Sequence, residues 1–284
     1  MNVKRIGIVG SGIMGSGISE VCAKAGYEVV LRSRTQEKAA ATLAAIEKSL
    51  AKQVERGKLE EAEREKALAA IKAVSNIKEL SDCDIVIESV IEDLDTKREL
   101  FAHLDDVCRD DAIIATNTST LPVIEMASVV RNPERVLGIH FFNPAPVMGL
   151  VEVVAALTTS EEAVETARMF AESCGKEPVI VKDQAGFIVN ALLFPYLNNA
   201  IKLFENGVAS MEDIDTAMKA GCGFPMGPLA LLDLVGLDTS LSILEALYDE
   251  FRDPNYAPAP TLRRLVSAGK LGRKSGSGFF DYQG

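Results

Sequence analysis

The chain of 284 residues has no tryptophan, two histidines and five cysteines, and each scarcity removes a class of chemistry. Cys22, Cys83, Cys108, Cys174 and Cys222 form no C-x-x-C pair, and their odd number cannot close a disulfide framework. Free thiols are expected, with neither a structural zinc nor any other metal. With only His103 and His140 present, a histidine base has two candidates. Positive charge is also in deficit. The 30 Lys and Arg face 41 Asp and Glu, and a net charge of −11 opposes binding to the phosphates of nucleic acid. No run approaches the about 18 apolar residues of a membrane span. The strand-like Ile6 to Val9 follows Lys4 at once, which leaves no room for a signal peptide, so the chain is expected in the cytoplasm, with no membrane partner. What is present, 48% hydrophobic and 25% charged residues, suits an ordinary globular protein of one or two domains.

The first half alternates short apolar runs with helical stretches, as a parallel sheet with crossover helices requires. Strands are predicted at 5–9, 28–32, 85–88, 112–116 and 136–141. The stretch between the second and third is longer than a simple βαβ crossover needs. Residues 36–56 and 60–73, rich in Ala, Glu, Lys and Leu with a break at Gly57, predict a helical hairpin inserted there. Two further strand-like runs follow at 151–155 and 178–181. Beyond Gly186 strand signals stop, and helical periodicity runs through 191–206, 211–220 and 229–251, interrupted between Gly221 and Pro228. The change from α/β to all-α puts a boundary near residue 185.

Five features carry chemistry. Gly10-Ser11-Gly12-Ile13-Met14-Gly15 follows the first strand and opens a helix. In that context G-x-G-x-x-G is a dinucleotide loop, in which the glycines permit a tight turn, approach of a pyrophosphate and close helix packing. Lys48, Lys52 and Arg56 recur every fourth residue and share one helix face. They form either a solvated face paired with Glu47 and Glu55 or a site for an anionic substrate. His140 closes a strand, and Phe-Phe-Asn-Pro-Ala-Pro turns the chain before Leu150-Val-Glu152-Val-Val. A carboxylate inside an apolar strand is costly unless paired, and the turn can return Glu152 beside His140. The two are then an oriented base for proton abstraction or a hydrogen-bonded core histidine. Asn117-Thr-Ser119-Thr120 lies at the carboxyl end of a strand, where ligands bind such sheets, although short polar runs also simply make turns. Asn190 opens the helical half, in a helix interior or facing a cleft.

These residues together, with Glu92 and Lys97, His140-Phe-Phe-Asn-Pro-Ala-Pro-Val-Met, Gly186-Phe-Ile-Val-Asn190, Pro225-Met-Gly-Pro228 and Gly272-Arg-Lys-Ser-Gly-Ser-Gly-Phe, resemble the short 3-hydroxyacyl-CoA dehydrogenases over essentially the whole chain. The resemblance implies a Rossmann-type dinucleotide-binding domain with the inserted helical hairpin over 1–185. An all-α C-terminal domain over 186–284 would form a homodimer. It implies an acyl-CoA substrate, with His140 as general base, Glu152 as its partner, and Ser119 and Asn190 on the substrate oxygens. Glu92, Lys97 and Asn117 would line the cofactor, and Ser49, Lys52 and Arg56 would meet the adenosine and phosphates of coenzyme A. A free β-hydroxyacid dehydrogenase and a non-catalytic, crystallin-like relative are the alternatives. Three positions depart from the pattern. Ala185 stands for a usual proline, Ala191 for a usual arginine, and Ser33 for the aspartate that usually binds the ribose. Ser33 with Arg34 therefore predicts NADP, in preference to NAD, as cofactor, because serine can donate to a 2′-phosphate and arginine can pair with it.

Overall fold

The computed structural model describes residues 3–282. The chain divides into two compact units, Met1–Gln184 and Ala185–Gly284.

The first unit is built on one eight-stranded sheet. Its strands are β1 (Arg5–Val9), β2 (Glu28–Arg32), β3 (Ile71–Val74), β4 (Ile85–Glu88), β5 (Ile113–Thr116), β6 (Val136–Phe141), β7 (Leu150–Ala155) and β8 (Glu177–Lys182). They lie in the order β3-β2-β1-β4-β5-β6-β7-β8. Every pairing is parallel except β6 with β7. Helices α1 (Ile13–Lys24), α2 (Gln36–Glu55), α3 (Glu61–Ala69), α4 (Leu94–Val107), α5 (Val123–Ala127) and α6 (Glu161–Ser173) supply the crossovers. Ile6, Ile8, Leu31, Ile85 and Ile87 of the sheet share a core with Ile18, Ile46, Leu50 and Phe170 of α1, α2 and α6. The Rossmann-type expectation is met, and the inserted hairpin is α2 with α3. The side chain of Thr35 accepts from Lys38 N to start α2, and Glu60 with Glu63 forms a capping box for α3.

The hairpin is shorter than the sequence pattern suggests. Residues 71–73, expected as helix, belong to β3, a short strand at the sheet edge where the exposed Lys72 interrupts the apolar pattern.

Helices α7 (Val189–Glu205), α8 (Met211–Cys222), α9 (Pro228–Val235), α10 (Leu237–Phe251) and α11 (Pro260–Ser267) make up the second unit. Phe194, Leu197, Ile201, Leu229, Leu232, Leu244, Leu247 and Leu262 form its core. The single helix expected over 229–251 is two, because Gly236 at φ +104° leaves the helical region. Two buried aspartates fasten this unit. Asp215 accepts the amides of Leu229 and Ala230 at 2.8 and 3.0 Å, capping α9. Asp233 accepts those of Phe279 and Phe280, both at 2.9 Å, and pins the C-terminal segment. No helix among the described residues is long and apolar enough to cross a membrane.

Candidate active site

The parallel strands end on one edge, and the chemistry-bearing residues of the first unit gather there. Gly10 follows β1 at φ +135°, and a Cβ on it would lie 2.2 Å from Ser89 O. On Gly15 a Cβ would lie 2.2 Å from Gly10 O. Both positions therefore exclude any side chain. Gly12 caps α1 without a side-chain partner and a Cβ there meets nothing within 4 Å. The first amides of α1 thus face open space beside Ile13 and Met14, which suits the pyrophosphate of a dinucleotide.

Antiparallel pairing of β6 with β7 sets His140 directly opposite Glu152. Nδ1 of His140 lies 2.7 Å from Glu152 Oε2, with the two side chains 5% and 1% exposed. Donation from Nδ1–H to the carboxylate makes Nε2 the basic nitrogen of the ring. The Phe142 ring packs 4.5 Å from the imidazole, centroid to centroid. Asn117, at the end of β5, accepts the Phe141 amide at 2.8 Å and so fixes the end of the strand that carries the histidine.

Ser119 is held by a chain of charges that runs from the exposed Glu92 inward to the buried Lys97 and Glu88. Glu92 Oε1 accepts the Ser119 amide at 3.0 Å and also the Thr118 hydroxyl. Lys97, 1% exposed, stands between Glu92 at 3.3 Å and Glu88 at 2.6 Å. Glu88 in turn accepts the Thr116 hydroxyl at 2.7 Å and the Val90 amide at 2.6 Å. Partial desolvation opposes ionisation of Glu92, but the Lys97 charge and the bonds from Thr118 and Ser119 outweigh it and hold this carboxyl below its usual range.

At the end of β2, Ser33 is buried, and its hydroxyl has no hydrogen-bond partner among the described residues. Arg34 beside it is exposed. The neighbouring Arg32 donates to Ser75 O at 3.2 Å, and burial together with the Arg34 charge lowers its pKa. Lys48 and Lys52 on α2 and Arg56 at its C-cap are exposed, and among the described residues none makes an ion pair. Glu47 leans towards Arg64 at 3.8 Å instead. A cavity of about 730 Å³ runs along α1 and α2, bounded by Gly12, Ser16 and Glu20 on one side, Lys38 and Ser49 on the other, and Pro144 and Pro146. Asn190 is the second residue of α7, in the other unit, and is buried.

Family models cover both units. Residues 5–184 match the NAD binding domain of 3-hydroxyacyl-CoA dehydrogenase, and residues 186–282 match its C-terminal domain. The chain belongs to the 3-hydroxyacyl-CoA dehydrogenase family. It is a nicotinamide-dependent dehydrogenase. It is 48% identical over 99% of both chains to 3-hydroxybutyryl-CoA dehydrogenase of Mycobacterium tuberculosis. It is 44% identical to the enzyme of that name from Clostridioides difficile, over 98% of this chain and 99% of the other. The crystal structure of (S)-3-hydroxybutyryl-CoA dehydrogenase from Ralstonia eutropha superposes with a TM-score of 0.97 at 41% identity, covering both chains completely.

In this dehydrogenase the site residues fall into three sets. His140, Glu152 and Asn117 meet at β6, the set from Glu88 to Ser119 meets behind the β4 and β5 ends, and the α2 cations lie apart along the helix. Sequence reasoning missed Glu88 and Thr116. The signal was available, since Glu88 closes the apolar run Ile-Val-Ile in the way Glu152 interrupts its own strand.

Proposed function

We propose that the enzyme interconverts an (S)-3-hydroxyacyl-CoA, with 3-hydroxybutyryl-CoA as the reference substrate, and the corresponding 3-oxoacyl-CoA. The observation that carries this reading is the 2.7 Å contact between His140 and Glu152 at the carboxyl edge of a sheet that also carries the glycine loop. The glycine loop fits a dinucleotide, whose nicotinamide ring supplies the hydride acceptor when bound. His140 Nε2 takes the proton of the 3-hydroxyl as the C3–H bond gives up its hydride, and Glu152 stabilises the imidazolium. Ser119 and Asn190 hold the substrate oxygens. Glu92 and Asn117 line the cofactor, while Lys97, buried behind Glu92, acts by fixing that carboxylate. Ser49, Lys52 and Arg56 receive the adenosine and phosphates of coenzyme A, and the lack of carboxylate partners for the two cations supports this role over a self-paired face. Rates on acetoacetyl-CoA and free acetoacetate test the substrate class. The thioester is expected to be favoured by at least about a hundredfold in kcat/KM, the scale of remote binding energy, and equal values would reject it.

The cofactor is NADP in preference to NAD. No carboxylate stands at Ser33 to repel a 2′-phosphate, and Arg34 is exposed without an ion pair among the described residues. The Ser33 hydroxyl, without a hydrogen-bond partner among the described residues, has a donor to spare for a 2′-phosphate. Ser33→Asp should move the ratio of kcat/KM values towards NADH by about tenfold or more, the range of one charge-assisted contact. A wild type already tenfold better with NADH would refute the preference.

Residues 1–185 carry the cofactor and 186–284 form a homodimer. Leu192 and Leu203 on α7, Phe224, and Leu234 on α9 are exposed apolar side chains on the elements that would pair. Light scattering of a monomer at micromolar concentration would overturn this. The enzyme is placed in the cytoplasm, and cell fractionation tests that assignment.

A further inference from the structure

The cavity along α1 and α2 is bordered by a carboxylate that neither the hydride transfer nor the glycine loop uses. Glu20 lies on the inward side of α1 and is 2% exposed, yet its carboxylate borders the cavity. It accepts one side-chain hydrogen bond, from Gln53 Nε2 at 2.6 Å. Gln53 is turned for that purpose by Lys24, whose ammonium donates to Gln53 Oε1 at 2.8 Å. No cation lies within ion-pair distance of Glu20 among the described residues. A carboxylate has about four acceptor positions, and a buried one served by a single neutral donor is short of partners. The unused capacity borders the cavity.

We infer that Glu20 is a specificity residue of the acyl-CoA groove that accepts a hydrogen bond from the adenine 6-amino group of coenzyme A. The inference rests on the acyl-CoA reading of the site and adds a base-reading contact to it. The direction of the groove selects the adenine. Its Glu20 end adjoins Ser49, Lys52 lies three residues beyond Ser49 on α2, and Arg56 caps that helix. Those cations suit the phosphorylated ribose, to which adenine is directly attached. The cavity is also bounded by Ser16 and by Pro144 and Pro146 of the segment that follows the His140 strand, which sets the side towards which the pantetheine arm would run to reach the base. The carboxylate accepts from an exocyclic amine and repels a carbonyl oxygen at the same place, so it distinguishes adenine from a 6-oxo purine.

The experiment measures coenzyme A affinity by calorimetry together with steady-state kinetics. Glu20→Leu should weaken coenzyme A binding, and raise KM for acetoacetyl-CoA, about ten- to a hundredfold, the scale of a hydrogen bond to a charged group. Its kcat should stay within about twofold, because the contact is remote from the reacting carbon. Glu20→Gln keeps an acceptor oxygen and should stay within about threefold of wild type. KM for acetoacetyl-pantetheine, which has no adenine, should be the same in all three proteins. The 6-oxo analogue of coenzyme A, tested on wild type alone, should bind at least about tenfold more weakly than coenzyme A, a result that does not depend on any variant folding. Unchanged coenzyme A affinity in Glu20→Leu, or equal affinity of wild type for the 6-oxo analogue, would overturn the inference. An equal loss on acetoacetyl-pantetheine would also overturn it, by pointing to a pantetheine amide. If wild type neither binds coenzyme A nor reduces acetoacetyl-CoA, the acyl-CoA reading itself fails.

Discussion

Buried acids serve different ends in the two units. In the first unit Glu152 faces a histidine, Glu88 faces Lys97, and Asp105 faces Arg135, each within ion-pair distance and nearly hidden from solvent. In the second unit Asp215 and Asp233 accept pairs of main-chain amides, joined at Asp233 by the Tyr282 hydroxyl, and neither faces a charged side chain within ion-pair distance among the described residues. A side-chain partner can give, take or share a proton, and its removal strands a charge. An amide partner does none of these and only ties two segments together. The location of a buried acid says little about its role, whereas the nature of its partner says much.

The largest effect expected from this contrast is catalytic. His140→Gln should lower kcat by about 10²–10⁴, the usual worth of a positioned base, with an unchanged circular dichroism spectrum. Glu152→Gln should be severely impaired as well, because the imidazolium loses its counter-charge. Replacing the exposed His103 should leave kcat alone. Retained activity in His140→Gln would erase the distinction between a reactive pair and a structural one.

Stability sharpens the comparison next. Asp105→Asn should cost about 3–5 kcal/mol, because Arg135 is left buried with a weakened partner. Asp233→Asn should cost about 1–3 kcal/mol, because one of the anchored amides loses its acceptor. The pH dependences should run in opposite directions. Burial opposes ionisation of Asp105, but Arg131 and Arg135 outweigh it and depress its pKa, so its contribution is present above the unfolded value and lost as pH falls through the folded one. Burial raises the pKa of Asp233 despite the bonds from Phe280, Phe279 and Tyr282. Its pH-linked contribution is therefore fully present below the unfolded value and lost as pH rises through the folded one. Between pH values of about 3 and 6, around the ordinary aspartate pKa, the gap between wild type and Asp105→Asn should widen as pH rises. The gap to Asp233→Asn should narrow. Denaturant titrations at several pH values check both, and parallel slopes would refute the contrast.

The smallest effect concerns charges that are neither buried nor paired. Replacing Lys52 and Arg56 together by alanine should raise KM for acetoacetyl-CoA about tenfold with little change in kcat, since remote contacts act mainly as uniform binding. Added salt should mimic the loss. An unchanged KM would return this face to the solvent.

Much of this was legible in the sequence because it depends on local pattern. The strands at 5–9, 28–32, 85–88 and 136–141 are continuous apolar runs with nothing to compete, and the glycine loop declares itself by position. The pairing of Glu152 with His140 was readable from the cost of a carboxylate in a strand and the turn between them. Strand β3 was not, because a short edge strand with an exposed lysine has no run to show. The break at Gly236 was hidden because one glycine within a helical period is usually tolerated. The link from Glu88 through Lys97 to Ser119 joins three elements distant in sequence, and no spacing announces such a contact. Glu20 left no trace at all, since its isolation depends on the groove that α2 and the 143–146 loop build over it.

The single antiparallel pairing in the sheet has a consequence for inheritance. Because β6 and β7 form one hairpin, His140 and Glu152 occupy one short continuous segment, so a single exchange of coding sequence carries both. The same economy makes the element fragile to frame-preserving deletions. Loss of one residue within β7 ahead of Glu152 would turn that side chain to the opposite face of the sheet. Such a lesion would leave length, composition and the apolar character of the strand almost unaltered. It would separate the His140–Glu152 pair while a sequence alignment still showed both residues in place.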